Sequence, residues 1–123
     1  MQILVVDDSK AMRMIVIREL KRAGYSSDDI VEADSGKTAL ECVSGGEIDL
    51  IVSDWNMPEM SGIELLQALR ETGWTKPFGF VTTESADSAY NQALGSGANF
   101  LIGKPFTGDT LATEIGKALA AAG

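Results

Sequence analysis

The chain contains no histidine and a single cysteine, Cys42. Without an imidazole to act as base, a Cys–His nucleophile is excluded. One cysteine cannot close a disulfide within the chain. Cys42 falls inside a helical pattern and reads as a small, half-buried packing residue. Basic residues are scarce too: ten Lys and Arg stand against 18 Asp and Glu, a net charge of −8. A nucleic-acid binder needs a basic face to neutralise phosphates, so no nucleic-acid partner is expected. No apolar run approaches the roughly 20 residues that cross a bilayer, so no membrane partner is expected either. No basic region precedes the first apolar segment, which predicts no signal peptide and a cytoplasmic location. There is no internal repeat, linker or low-complexity stretch. A length of 123 residues, 45% of them hydrophobic, suits one domain over residues 1–123 with a substantial core.

What is present is a regular alternation of short apolar runs and helical patterns. Ile3–Val6 reads as a first strand. Met12, Ile15, Val16, Leu20 and Ala23 then recur at helical spacing and form an expected inward stripe, stopped by Gly24. Ile30–Ala33 is a second strand, and Ser35 caps a helix carrying Leu40 and Val43 that ends at Gly45-Gly46. Leu50–Ser53 is a third strand. Ser61 with Glu64 three residues on is a capping box that opens a helix bearing Leu65, Leu66 and Leu69, closed near Gly73. Phe78–Val81 is a fourth strand, with Gly79 inside it read as a packing accommodation. Ala86, Ala89, Tyr90, Ala93 and Leu94 trace a fourth helix, and Phe100–Ile102 a fifth strand. Thr107 caps a last helix with Leu111, Ile115, Ala118 and Leu119 inward. Continuous Ile, Leu and Val runs indicate strands buried on both faces. The pattern predicts an α/β fold, a doubly wound (βα)5 parallel sheet with helices on both sides.

Four chemistry-bearing pieces lie just past strands one, three, four and five: Asp7–Asp8, Asp54, Thr82 and Lys104. Residues at the carboxyl ends of parallel strands gather at one edge, where ligands bind in such sheets. Taken alone, Asp7–Asp8 reads equally as a helix cap with an acidic first turn. Asp54 favours a site instead, because strand three neighbours strand one. Three close carboxylates raise each other's pKa unless a cation sits among them. Oxygen donors without His or Cys favour Mg2+, or the similar Mn2+, over zinc. A carboxylate is also a nucleophile towards phosphorus. The metal, the Lys104 ammonium and the Thr82 hydroxyl would then each serve one phosphoryl oxygen.

The stretches Val5-Val6-Asp7-Asp8-Ser9, Asp54-Trp55-Asn56-Met57-Pro58 with Gly62, Val81-Thr82-Thr83-Glu84 and Lys104-Pro105-Phe106 span the chain. In order and spacing the chain resembles the response-regulator receiver domains, most closely the chemotaxis-type, CheY-like, single-domain receivers. The resemblance implies a flavodoxin-like strand order, 2-1-3-4-5. It implies Asp54 as phosphoacceptor, with Mg2+ held by Asp8, Asp54 and the backbone carbonyl of Asn56 and by Asp7 through water. Lys104 pairs with the phosphoryl group, Thr82 moves inward to hydrogen-bond it, and Thr83 lies beside it. Asn56 and Glu84 flank the acyl phosphate and influence its hydrolysis. Three departures are visible, one of them a fourth helix rich in Ser, Ala and Gly, expected to be loosely held. Leu101 stands where the family usually has Tyr or Phe, with Phe100 one residue earlier and so on the opposite face. Thr83 occupies a position that is usually Ala or Gly and would narrow access to the phosphoryl site.

The implied function is a phosphorylation-controlled switch in a two-component or chemotaxis system, a phosphoacceptor rather than an enzyme. The expected partner is a histidine kinase or a histidine phosphotransfer protein, and a flagellar motor is one candidate target. The chain itself is expected to be a monomer. A phosphorelay intermediate, or the receiver part of a longer protein, is the alternative. An aspartate-nucleophile phosphatase would want a second carboxylate two residues after the nucleophile, where Asn56 stands, and a cap for which there is no room. A flavin site would want a Gly/Ser/Thr-rich loop after strand one, and none is there. With Met12, Ile15 and Val16 assigned inward, Met14, Ile17 and Arg18 fall on the outer side of the first helix, with Lys21. An apolar patch rimmed by charge suits kinase docking.

Overall fold

Five short runs rich in Ile, Val, Leu and Phe pair side by side, all parallel, in the computed structural model of the chain. The structure describes residues 1–82, 87–104 and 106–122, with the backbone alone for residues 87–90 and 122. The strands are β1 (Ile3–Val6), β2 (Ile30–Ala33), β3 (Leu50–Asp54), β4 (Phe78–Thr82) and β5 (Phe100–Gly103), in the order β2-β1-β3-β4-β5. The helices are α1 (Lys10–Arg22), α2 (Gly36–Gly45), α3 (Gly62–Glu71), α4 (Asp87–Gly95) and α5 (Gly108–Ala122). This is the flavodoxin-like α/β arrangement.

Side chains alternate along each strand, so the sheet builds two cores. Leu4, Val6, Ile51, Phe78 and Phe80 face Ala39, Leu65, Leu66, Leu69 and Ala93 from α2, α3 and α4. Ile3, Val5, Val52, Val81, Phe100 and Ile102 face Val16 and Leu20 of α1 and Leu111, Ile115 and Ala118 of α5. Burying a large aliphatic or aromatic side chain contributes about 1.5–3 kcal/mol. The two double-sided cores are therefore the main stabilising term.

Local signals behave as their chemistry requires. Ser61 Oγ accepts from the Glu64 N–H while the Glu64 carboxylate accepts from the Ser61 N–H, the full capping box. Ser35 and Thr107 cap α2 and α5 through their hydroxyls. Gly24, with φ of +105°, follows the end of α1.

Two expected helix faces are corrected. On α1, Ile15 and Ala23 are exposed, while Ile17, expected outside, is half-buried against the α1/α5 core. The buried residues of the helix are Val16, Glu19 and Leu20, with Met12, Arg13 and Ile17 half-buried beside them. The Arg13 guanidinium finds partners on this side, the Asp7 carbonyl and Glu32. On α4, Ala93 is buried but Leu94 is exposed. Ala86 of the expected stripe lies outside the described residues, as do the side chains of Ala89 and Tyr90.

Candidate functional site

The carboxyl ends of β1 and β3 are adjacent because those strands pair directly, Val6 opposite Ser53. Asp7 and Asp8 leave β1 and Asp54 ends β3. Their carboxylate oxygens lie within 4.8 Å of one another. Asp7 is buried, Asp54 half-buried and Asp8 exposed. The cap reading of Asp7–Asp8 does not hold: Ser9 is the N-cap of α1, and the first turn holds no acid.

The chain orders this loop through its own backbone. The Asp7 N–H donates to the Ala33 carbonyl (3.1 Å), extending the β1–β2 ladder. The Ser9 N–H donates to Asp7 Oδ1 (2.9 Å) and the Trp55 N–H to Asp54 Oδ1 (2.9 Å). Gly62, the first residue of α3, packs against the backbone of β3. A Cβ there would strike the Asp54 carbonyl and the Phe80 ring. Glycine thus lets α3 close up under the phosphoacceptor candidate.

From the far side of the sheet, Lys104 follows β5, and its N–H donates to the Thr82 carbonyl (2.7 Å) at the end of β4. Its Nζ stands 3.3 Å from Asp54 Oδ1 and 3.7 Å from Asp7 Oδ2. The ammonium and both carboxylates are largely withdrawn from solvent, so the attraction is weakly screened. Thr82 is fully buried at the same strand end. Asp7, Asp8, Asp54, Thr82 and Lys104 are thus brought to one edge, as the spacing predicts. Asn56 follows in the β3–α3 loop and is exposed. Thr83 and Glu84 lie outside the described residues.

The donor set fits a hard divalent cation. It offers three carboxylates and no softer ligand. Burial pushes the Asp7 carboxyl above its ordinary range, and the charges of Asp54 and Asp8 push the same way. The Ser9 N–H and Lys104 oppose them. A cation among these carboxylates removes that penalty.

Residues 3–116 match the family described as the response regulator receiver domain. The chain belongs to that family. The receiver's sequence is 40% identical to Chemotaxis protein CheY of Pseudomonas aeruginosa over 119 residues, 95% of this chain and 94% of that protein. It is 38% identical to Chemotaxis protein CheY1 of Helicobacter pylori over 118 residues, 94% of each. Its fold superposes on the structure of Vibrio cholerae chemotaxis protein CheY4 with a TM-score of 0.85 at 32% identity, covering 95% of this chain and 97% of that one. The chain is a CheY-like receiver, a phosphoacceptor signalling protein rather than a catalytic enzyme, and a receiver implies a kinase partner. Among the described residues, no helix is long and apolar enough to cross a membrane.

Met14, Ile17 and Arg18 line one groove, with Ile15, Lys10, Lys21 and Glu32, of about 500 Å3. Met14 is 58% exposed. Sequence reasoning placed Ile15 elsewhere and passed over Arg13. The Arg13 Nη1–H donates to the Asp7 carbonyl (2.8 Å) and its Nε–H to Glu32 Oε1 (2.9 Å). The available signal was its spacing with Val16, Ile17 and Leu20.

Proposed function

We propose that this receiver is a phosphorylation-controlled switch of a chemotaxis system, acting in the cytoplasm, with Asp54 as its phosphoacceptor. The observation that carries the reading is the Lys104 ammonium set between Asp54 and Asp7, beside Asp8, at the strand ends. Asp54 attacks the phosphorus of a phosphohistidine on the partner. The new O–P bond forms as the P–N bond breaks, and the electron pair stays on the imidazole. Lys104 offsets charge on one equatorial oxygen and the Thr82 hydroxyl donates to another. Asp8, Asp54 and the Asn56 carbonyl, with Asp7 acting through water, would hold Mg2+, which would supply the remaining positive charge. Thr83, next to Thr82, would sit beside the phosphoryl group, and Asn56 and Glu84 would tune its loss to water.

The kinase, or a histidine phosphotransfer protein, would dock on α1. Lys10, Arg13, Arg18, Lys21 and Arg22 are five of the ten basic residues of a chain with net charge −8. Of these, Lys10, Arg18 and Lys21 line the groove with exposed Met14 and make a basic rim on an acidic protein, suited to steering an acidic partner.

The test is incubation with acetyl phosphate and Mg2+ followed by mass spectrometry. One phosphoryl group is expected on Asp54, and none in Asp54→Asn. A phosphoryl group mapped to Ser or Thr would overturn the assignment.

A further inference from the structure

We propose that Arg13 is a positioning residue for the Asp7–Asp8 pair and thereby tunes how tightly the site takes a divalent cation; this rests on the metal site of the proposed function. Arg13 sits on the fourth residue of α1, and its side chain is only 14% exposed. Its fork reaches two strands at once. Nη1–H donates to the Asp7 carbonyl at 2.8 Å, and Nε–H donates to Glu32 Oε1 on β2 at 2.9 Å.

The Asp7 carbonyl belongs to the peptide that joins Asp7 to Asp8. Holding that oxygen fixes the peptide plane and with it the Asp8 N and Cα, from which the Asp8 side chain departs. Asp8 is the exposed member of the trio, so its aim towards Asp54 depends on this peptide more than on packing. Asp7 is held by its N–H to Ala33 and its Oδ1 to Ser9. Arg13 adds the carbonyl, and Glu32 holds the guanidinium in place. Charge-assisted forked contacts are directional in a way that a lysine ammonium is not.

Charge and orientation make opposite forecasts. A guanidinium near a cation site repels the cation, so removing it should tighten binding if charge alone mattered. If Arg13 orients the pair, removing it should loosen binding. Arg13→Lys separates the two effects, because it keeps the charge and loses the fork.

The experiment titrates the full chain with Mn2+ and follows free Mn2+ by electron paramagnetic resonance, with thermal melts in EDTA to show that each variant is folded. Both Arg13→Lys and Arg13→Ala are expected to raise the Mn2+ dissociation constant about tenfold, the usual scale for groups that orient metal ligands. An unchanged constant in Arg13→Lys with a lower one in Arg13→Ala would overturn the inference in favour of simple charge. If Arg13→Ala does not fold, Arg13→Lys decides alone. A wild-type chain that takes up no Mn2+ removes the metal site itself and this inference with it. Wild-type binding with unaltered Arg13 variants removes only the inference.

Discussion

Phe100 lies across Gly79. The two residues are register partners on β4 and β5, and the Phe100 ring fills the space where a side chain at position 79 would stand. A glycine that weakens a strand in isolation is here required by its neighbour. The same contact fixes the ring on the α1/α5 side of the sheet, while Leu101 faces α2–α4. Phe100 and Leu101 therefore stand on opposite faces of the sheet, as the one-residue offset predicts.

Gly79→Ala should overpack this contact and lower stability by about 1–3 kcal/mol, read as a fall in the urea midpoint at constant slope. Combining it with Phe100→Leu should cost less than the sum of the two single changes, because the leucine vacates part of the space. Strict additivity would show that the two side chains do not compete.

Removal of the cation tests the carboxylate cluster. Melts in Mg2+ and in EDTA should differ, since a ligand of the native state stabilises by roughly 2.7 kcal/mol at a hundredfold excess over its dissociation constant. Asp8→Ala should shrink the difference by removing one of the three carboxylates. Equal midpoints in the two buffers would argue against the site.

At the opposite end of the sheet, the Arg70 guanidinium donates to the carbonyls of Trp74 (3.0 Å), Lys76 (2.8 Å) and Gly97 (3.0 Å). It also stands 5.3 Å from the centre of the Trp74 ring. It ties the loop before β4 to the loop before β5. Arg70→Ala should cost about 1.5–3 kcal/mol, the scale of hydrogen bonds to a charged group. Hydrogen exchange should then speed up around residues 74–76 and 97 without change in β1. A uniform increase across the sheet would point to global destabilisation instead.

The switch itself should be read in α4. Among the described residues of this Ser- and Ala-rich helix, Ala93 is the side chain buried in the core, and its equilibrium should shift readily. Binding of the phosphoryl mimic beryllofluoride is expected to alter hydrogen exchange in Asp87–Gly95 more than in Phe100–Gly103. Thr82→Ala should blunt the response, because it removes the hydroxyl expected to meet the phosphoryl oxygens. Changes confined to β5, or a full response in Thr82→Ala, would assign the moving element elsewhere.

The element order, both two-faced cores and the meeting of Asp7, Asp8, Asp54, Thr82 and Lys104 were legible in the chain before any coordinates. Apolar runs, caps and terminal glycines act locally, and parallel strands necessarily bring their carboxyl ends to one edge. Which face α1 buries was not legible. From Met12 to Ile17 the helix is apolar except at Arg13, so hydrophobicity alone could not choose between neighbouring stripes. Partners distant in sequence contribute: the Asp7 carbonyl at the end of β1 and Glu32 on β2 hold the half-buried Arg13. Ile15 is left outside in the groove with Met14. The reason for Gly79 was equally non-local, since the ring that needs the space arrives from the next strand. Local chemistry determined the elements and the residues of the site, whereas contacts between strands and helices decided their orientation, because only the folded chain brings those groups within bonding distance.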